Sequence, residues 1–434
     1  MYYFYNIVLV LYWVCLIPVL LYRLIKEEGF FQRIKQSIGY LPADLKDKIL
    51  NRQAIWLHAA SVGEIVATSP IVRELRKELP EAVIVVSVVT ATGYRMAQQI
   101  IKDADGVLFF PLDLPYFTNR ILNIVKPKVI LLVETEIWPN FLRIAEKENI
   151  PVMMVNGRIS HRSAFRYRLI HSFTKKILSS IRIFCMQSQI DKQHIIHIGA
   201  DPTKVIVTGN TKYDQSYGVV TDIQRHTFRE KLGFPDSTYP IMICGSIHRG
   251  EDELSYKTFV QIRRDFPEAR LIIAPRHIFQ SDQMVDMGKK YGFTMIKCSD
   301  MVGAPTGNYD GVILDTIGEL GRIYSIGDLV FVGGSMVSIG GHNILEPAAH
   351  GKPIVVGRYM CNFKEIFELL HQRGACLQAT NEEEFIAICL RILKDKQLAQ
   401  SMSDSCLKIV RENKGATEKN LDELRKLLEI EHLI

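Results

Sequence analysis

The chain has 434 residues, 47% of them hydrophobic and 23% charged, and its 53 basic against 47 acidic side chains leave a formal net charge of +6. At about 150 residues per domain this length suits two or three domains with full cores; aromatics at 9%, with 17 Pro and 28 Gly, exclude disordered, collagenous and disulfide-scaffold classes. The small positive excess suits an anionic substrate or a membrane surface and is too weak for a nucleic-acid partner.

Met1 to Tyr22 contain no charged side chain. Wound as a helix they extend roughly 30 Å, the thickness of a bilayer's hydrocarbon. Tyr2, Tyr3, Tyr5 and Tyr22 sit toward the ends, where amphipathic rings favour the headgroup layer. Arg23, Lys26, Arg33 and Lys35 follow, so the positive-inside rule puts the rest of the chain in the cytoplasm. A cleaved signal peptide needs a basic stretch before the apolar run and a small-residue site after it, and both are missing. Residues 1–23 are therefore expected to anchor the protein, as a single pass or monotopically, with 24–50 as a membrane-proximal linker. Within it, residues 29–35 mix apolar and basic side chains and read equally as an inner-leaflet contact or an ordinary amphipathic connection.

After residue 50, short apolar runs alternate with helical patterns. Strands are expected at 54–60, 82–90, 107–110, 128–134, 151–156, 181–187 and 204–208, most of them too apolar to face water on either side, as buried parallel strands are. Helix-like segments such as 64–79 and 116–125 lie between them. The polar stretch 209–221 breaks the rhythm. A second series is expected at 241–244, 270–274, 294–297, 311–314, 329–332 and 353–356, followed by helices from 382 and a closing helix at 414–430. Strand–helix alternation on this scale implies two doubly wound, Rossmann-like α/β domains that bind ligands at the carboxyl ends of their strands, in a cleft between them. The boundaries read as 51–209 for the first domain, 210–225 for the linker and 226–434 for the second, closing helix included. The eight cysteines form no C-x-x-C pair and several lie in apolar runs, so they read as reduced thiols.

Polar clusters occupy the strand ends. His58-Ala59-Ala60-Ser61-Val62-Gly63-Glu64 runs from a strand into a helix; Glu64 there either favours the helix dipole or serves as a general base. Glu134-Thr135-Glu136-Ile137-Trp138-Pro139-Asn140 leaves the very apolar run 129–133, and two carboxylates at such an exit are hard to explain by packing, although one of them would suit a helix cap. Asn156-Gly157-Arg158-Ile159-Ser160 supplies an arginine whose fork matches a carboxylate or phosphate; a surface arginine at a helix cap is the alternative. The carboxyl half adds Gly245-Ser246-Ile247-His248-Arg249-Gly250-Glu251, then Pro275-Arg276-His277, Gly333-Gly334-Ser335 and Gly340-Gly341-His342-Asn343-Ile344-Leu345-Glu346-Pro347. Gly-rich turns ahead of a helix let backbone N–H groups approach a phosphate. A glutamate one turn into that helix suits a ribose. No G-x-G-x-x-G, P-loop lysine, H-E-x-x-H or nucleophile elbow is present, so hydride transfer, ATP hydrolysis, zinc chemistry and serine hydrolysis have no support.

The order of these motifs, from S-V-G-E through E-T-E-I-W-P-N, N-G-R-I-S, G-N-T-K, G-S-I-H-R-G-E and P-R-H to G-G-H-N-I-L-E-P behind an apolar amino terminus, resembles the 3-deoxy-D-manno-octulosonic acid (Kdo) transferases of lipopolysaccharide synthesis. The resemblance covers essentially the whole chain. It implies a GT-B fold and an inverting, metal-independent transfer, without cofactor, from CMP-Kdo to a lipid A precursor (lipid IVA) at the cytoplasmic face of the inner membrane. It makes Glu64 the base and Glu136 a second catalytic residue toward the acceptor side, with Glu134 and Ser61 beside them, and Arg158 and Lys212 near the donor's carboxylate or phosphates. It gives CMP to Ser246, His248, Arg276, His277, Gly334, Ser335, His342 and Asn343, with Glu346 on the ribose. Two departures stand out: Ile278-Phe279 replace an acidic–basic pair after P-R-H, and Ile247 replaces a threonine in G-S-T-H. The competing readings are a GT-B enzyme using a UDP-sugar and a catalytically silent nucleotide-binding scaffold.

Overall fold

A computed structural model describes residues 1–26, 29–50, 52–215, 220–235, 237–301 and 309–431. The chain divides into two compact units: Met1–Gln215 together with Asn413–Ile434, and Ser216–Glu412. Part of the expected linker, residues 216–219, lies outside the described residues.

In the first unit the strands are β1 (Ala54–His58), β2 (Val83–Val88), β3 (Gly106–Phe109), β4 (Pro127–Val133), β5 (Val152–Gly157), β6 (Ile183–Met186) and β7 (Val205–Val207). They form one parallel sheet in the order β3-β2-β1-β4-β5-β6-β7. Alternate residues of each strand face opposite layers: Trp56, Ile130 and Leu132 join one apolar core, and Ile55, Leu57, Val129 and Leu131 the other. Both faces are therefore covered, which is why the strands read as unbroken apolar runs.

The second unit holds β8 (Ile241–Ile247), β9 (Arg270–Pro275), β10 (Met295–Lys297), β11 (Gly311–Ile313), β12 (Leu329–Val332), β13 (Ile354–Val356) and β14 (Cys376–Gln378), parallel in the order β10-β11-β9-β8-β12-β13-β14. All thirteen expected strands are present; β14 was not anticipated. In each sheet the order turns back beside the unit's first strand, between β1 and β4 and between β8 and β12. Connections leave in opposite directions at such a point and open a crevice at the carboxyl ends.

One boundary differs from expectation. The closing helix Ala416–Ile430 belongs to the first unit, because its stripe Leu421, Leu424, Leu427 and Leu428 is buried in the same core as Ile55 and Leu57. Buried Asn420 donates to Thr208 Oγ1 at 3.0 Å, and the Asp214 carboxylate accepts from Gly415 and Thr417 N–H at the helix start.

The amino-terminal helix Tyr2–Lys26 contains no buried residue, Pro18 lies within it, and it is long and apolar enough to cross a membrane. All eight cysteines are unpaired, and Cys185, Cys244, Cys376, Cys389 and Cys406 are buried.

Candidate active site

In the first unit, β1 delivers its chain into helix Val62–Glu78, whose N-cap is Ser61. Ser61 Oγ accepts the Glu64 N–H at 3.3 Å, and Glu64 Oε2 in turn accepts the Ala60 N–H at 2.7 Å. The capping role is therefore real. It engages Oε2, and the Ser61 hydroxyl with the Ala60 N–H favours the ionised carboxylate. Glu64 is only 7% exposed, and burial, with the charges of Glu136 and Glu134 adding to it, pushes its carboxyl up to about 8.

Those two neighbours come from the end of β4. Glu134 is held at φ 58, a left-handed conformation that costs a non-glycine residue energy. Its Oε1 accepts from Lys212 Nζ at 3.1 Å. Glu136 Oε2 accepts from Trp138 Nε1 at 2.8 Å and lies 3.4 Å from His58 Nε2. Burial would raise the Glu136 carboxyl, but the bonds and charge from His58 and the Trp138 N–H hold it below its ordinary value. Ser87 fixes the His58 ring in turn, with its Oγ 2.9 Å from Nδ1. Lys212 is brought in by the turn after β7: Thr211 N–H donates to Asn156 Oδ1 and Thr211 Oγ1 to the Ala67 carbonyl. A Cβ on Gly63 would lie 3.8 Å from Lys212 Nζ and 3.9 Å from Ser61 Oγ, so these groups share one pocket floor. Ser61, Glu64, Glu134, Glu136 and Lys212 thus converge at the point where the strand order turns back.

Arg158 follows β5 and is half-buried. The loop carrying it is pinned by buried Asp191, whose Oδ1 accepts the Ile159 N–H at 2.8 Å.

The second unit gathers its residues at the matching point. Ser246, at φ 56, sits at the irregularity just before the last residue of β8. His248 Nε2 lies 2.8 Å from His342 Nε2, the two rings stacking at 5.1 Å, with the His277 ring 5.9 Å from His248. One ring must donate and the other accept. Burial, reinforced by the positive charge of Arg276 and the neighbouring rings, lowers His342 to about 4, and burial likewise lowers His248, so the pair is neutral. Glu346 Oε1 accepts from Asn343 Nδ2 at 3.1 Å; burial raises its carboxyl to about 7 against the opposing pull of Asn343 and Arg276.

One expectation is corrected here. The N–H groups of Gly334 and Ser335 are already committed to a carboxylate from the protein itself. Glu251, fully buried, accepts from Gly334 N at 2.8 Å, Ser335 N at 3.0 Å, Met336 N at 2.9 Å and His248 N at 3.1 Å. Ser335 Oγ donates to the Val332 carbonyl and accepts from Gly357 N. The loop is an anion nest filled from within, and Gly334 and Ser335 shape the site without offering these groups to a phosphate. Glu251, His58 and Trp138 lie within or beside the sequence motifs, but nothing in those motifs assigns them these roles. Among the described residues no group of three or more His, Cys, Asp or Glu is arranged to hold a metal ion.

Two parallel-sheet α/β units with polar clusters at their strand turn-back points define a GT-B-type architecture. Known structures share it: a glycosyltransferase from Rickettsia africae (15% identical, TM-score 0.55, covering 87% of this chain and 99% of that one) and the UDP-GlcNAc 2-epimerase of Neisseria meningitidis bound to UDP-GlcNAc (14%, TM-score 0.57, 86% and 100%). At such identities the likeness speaks for fold alone. Residues 32–215 match the family described as 3-deoxy-D-manno-octulosonic-acid transferase (kdotransferase). The 3-deoxy-D-manno-octulosonic acid transferase of Haemophilus influenzae is 32% identical over 406 residues, 93% of either chain. The chain belongs to the Kdo transferase family, and its activity is that of a glycosyltransferase moving Kdo.

Proposed function

We propose that the protein transfers Kdo from CMP-Kdo to a hydroxyl of a lipid A precursor (lipid IVA), with inversion, at the cytoplasmic face of the inner membrane and without a metal. The observation that carries this reading is Glu64: a carboxylate anchored at a helix start through Oε2, with a proton affinity raised by burial and by the like charges of Glu136 and Glu134. A raised carboxyl is a stronger base once ionised. The acceptor oxygen attacks the anomeric carbon of Kdo, the bond from that carbon to the CMP phosphate oxygen breaks, and its electron pair leaves with CMP. The acceptor's proton passes to Glu64.

The second unit binds the nucleotide through the His248, Arg276, His277, His342 and Asn343 cluster, with Glu346 on the ribose. Arg276 meets the charge that builds on the leaving phosphate. Lys212 and Arg158 serve the donor's anionic groups, and Ser61, Glu134 and Glu136 shape the acceptor side. Anchoring to the leaflet that carries the lipid acceptor raises its effective concentration.

Product mass spectrometry with freshly made CMP-Kdo and a tetraacylated lipid A precursor tests the reading. Addition of Kdo is expected, with Glu64→Ala slowed at least ~100-fold while still binding CMP. Turnover of UDP-sugars in place of CMP-Kdo, or full activity in Glu64→Ala, would overturn it.

A further inference from the structure

The amino-terminal helix is flanked by attachments to one unit. At its first turns Tyr5 Oη donates to Asp113 Oδ2 at 2.8 Å, Asn140 Nδ2 donates to Asn6 Oδ1 at 2.6 Å, and Tyr2 meets Phe173 edge-on at 5.2 Å. Just beyond its last turn Phe30 is buried, and Gln36 Oε1 accepts the Phe109 N–H. All of these partners lie in the first unit. The helix has 25 residues, about 37 Å of rise. A helix that crosses a bilayer carries its ends to opposite faces, about 30 Å apart. Here the first turn of the helix, at Tyr5, and the chain after it, at Gln36, are held by the same unit. Along its length Leu9, Trp13, Leu16 and Leu20, spaced by three or four, are half-buried. Ile7, Leu11, Val14 and Leu21 on its other sides are each more than half exposed.

Phe173 belongs to a second feature. Helices His161–Arg168 and His171–Leu178 form a pair in a stretch where no acidic side chain occurs between Glu148 and Asp191. At their junction Phe165, Leu169 and Ile170 are 54%, 73% and 46% exposed, an apolar cost that water alone does not explain. Arg162, Arg166 and Lys175 are exposed around them. Lys176, on the same pair, sits over the Tyr2 ring at 5.7 Å, so this patch is continuous with the amino-terminal helix.

We propose that this helix pair is a second membrane contact, and that the first unit lies on an anionic lipid surface through one face made of the pair and the amino-terminal helix, which lies in the plane of the bilayer. The charges suit headgroup phosphates, and the three apolar side chains reach the acyl boundary between them. The proposal rests on the reading of the amino-terminal helix as a membrane anchor.

Flotation of the full-length protein tests it, using phosphatidylcholine vesicles with and without phosphatidylglycerol. Wild type and Arg162→Glu/Arg166→Glu/Lys175→Glu are expected to bind neutral vesicles alike. Anionic vesicles should hold the wild type at least about 30-fold more tightly than the variant. Equal partitioning onto anionic vesicles overturns the second contact, as does a Leu169→Trp reporter that gains no quenching from lipids brominated on their acyl chains. Failure of the wild type to float on any vesicle overturns the anchor reading beneath it. For the in-plane orientation, Tyr3→Cys on sealed vesicles with the catalytic units outside is expected to react with an impermeant maleimide, read at residue 3 by mass spectrometry. Protection until detergent is added overturns that orientation. Thermal unfolding of each variant controls for fold, and Arg162→Gln/Lys175→Gln replaces the triple reversal if its midpoint falls.

Discussion

Glu64 combines two duties that pull against each other. Receiving the Ala60 N–H at a helix start favours the ionised carboxylate, whereas a 7%-exposed position beside Glu136 and Glu134 favours the protonated one, and burial wins, at about 8. A base must be ionised to act, so kcat/KM should rise with pH through about 8. Glu136→Gln removes one of the like charges and should shift this rising limb to lower pH; a limb that stays in place would show that Glu64 does not set it. The same raised value has a stability consequence. The folded state keeps a proton that the unfolded chain releases above the ordinary 4.5, so the contribution is complete below that pH and is lost as pH rises through about 8. Urea midpoints of wild type should therefore fall behind those of Glu64→Gln as the medium becomes alkaline. Glu64 and its two acidic neighbours were visible in the sequence because each stands where an apolar run ends. His58 and Ser87 were not, since their hold on Glu136 joins strands separated by dozens of residues, and a single sequence records no such pairing.

A strand end, its turn and the following helix form the next level, and here Glu251 governs. Glycines before a helix suggest backbone N–H groups free for a phosphate; the helix Glu251–Asp265 instead sends back its own carboxylate to take them. Burial raises that carboxyl above its ordinary value, and the four N–H bonds oppose the rise without cancelling it. Glu251→Ala would leave those buried donors without a partner, at a cost of roughly 3 kcal/mol in unfolding free energy, and should weaken CMP binding by distorting the turn between His248 and His342. Urea unfolding and calorimetric CMP titration measure the two effects, and a variant as stable as wild type would mean that the nest is held by something else. The longer strands were legible because burial on both faces leaves only apolar residues. β14 was missed because three residues, two of them half-exposed, carry no period. The closing helix was legible as a helix, but an apolar stripe does not state which sheet it will cover.

For the molecule as a whole, each unit has its own parallel sheet with its own turn-back point, and each carries a different chemistry there. The first holds carboxylates with Lys212, which suits moving a proton. The second holds neutral imidazoles, Arg276 and Glu346, which suits a nucleotide. If the labour is divided in this way, variants in the two units should act on different kinetic constants. Glu346→Ala should raise the donor KM and weaken CMP binding by at least about tenfold, as removal of a ribose contact would, leaving kcat nearly unchanged. Glu64→Gln should do the reverse. Because the two side chains have no hydrogen-bond partner in common among the described residues, the double variant should show the product of the single effects, within about a factor of two. A donor affinity that falls with Glu64→Gln, or a double variant no worse than the more severe single one, would mean that the two residues work as one unit on a single step, and the assignment of base to one sheet and nucleotide to the other would have to be abandoned.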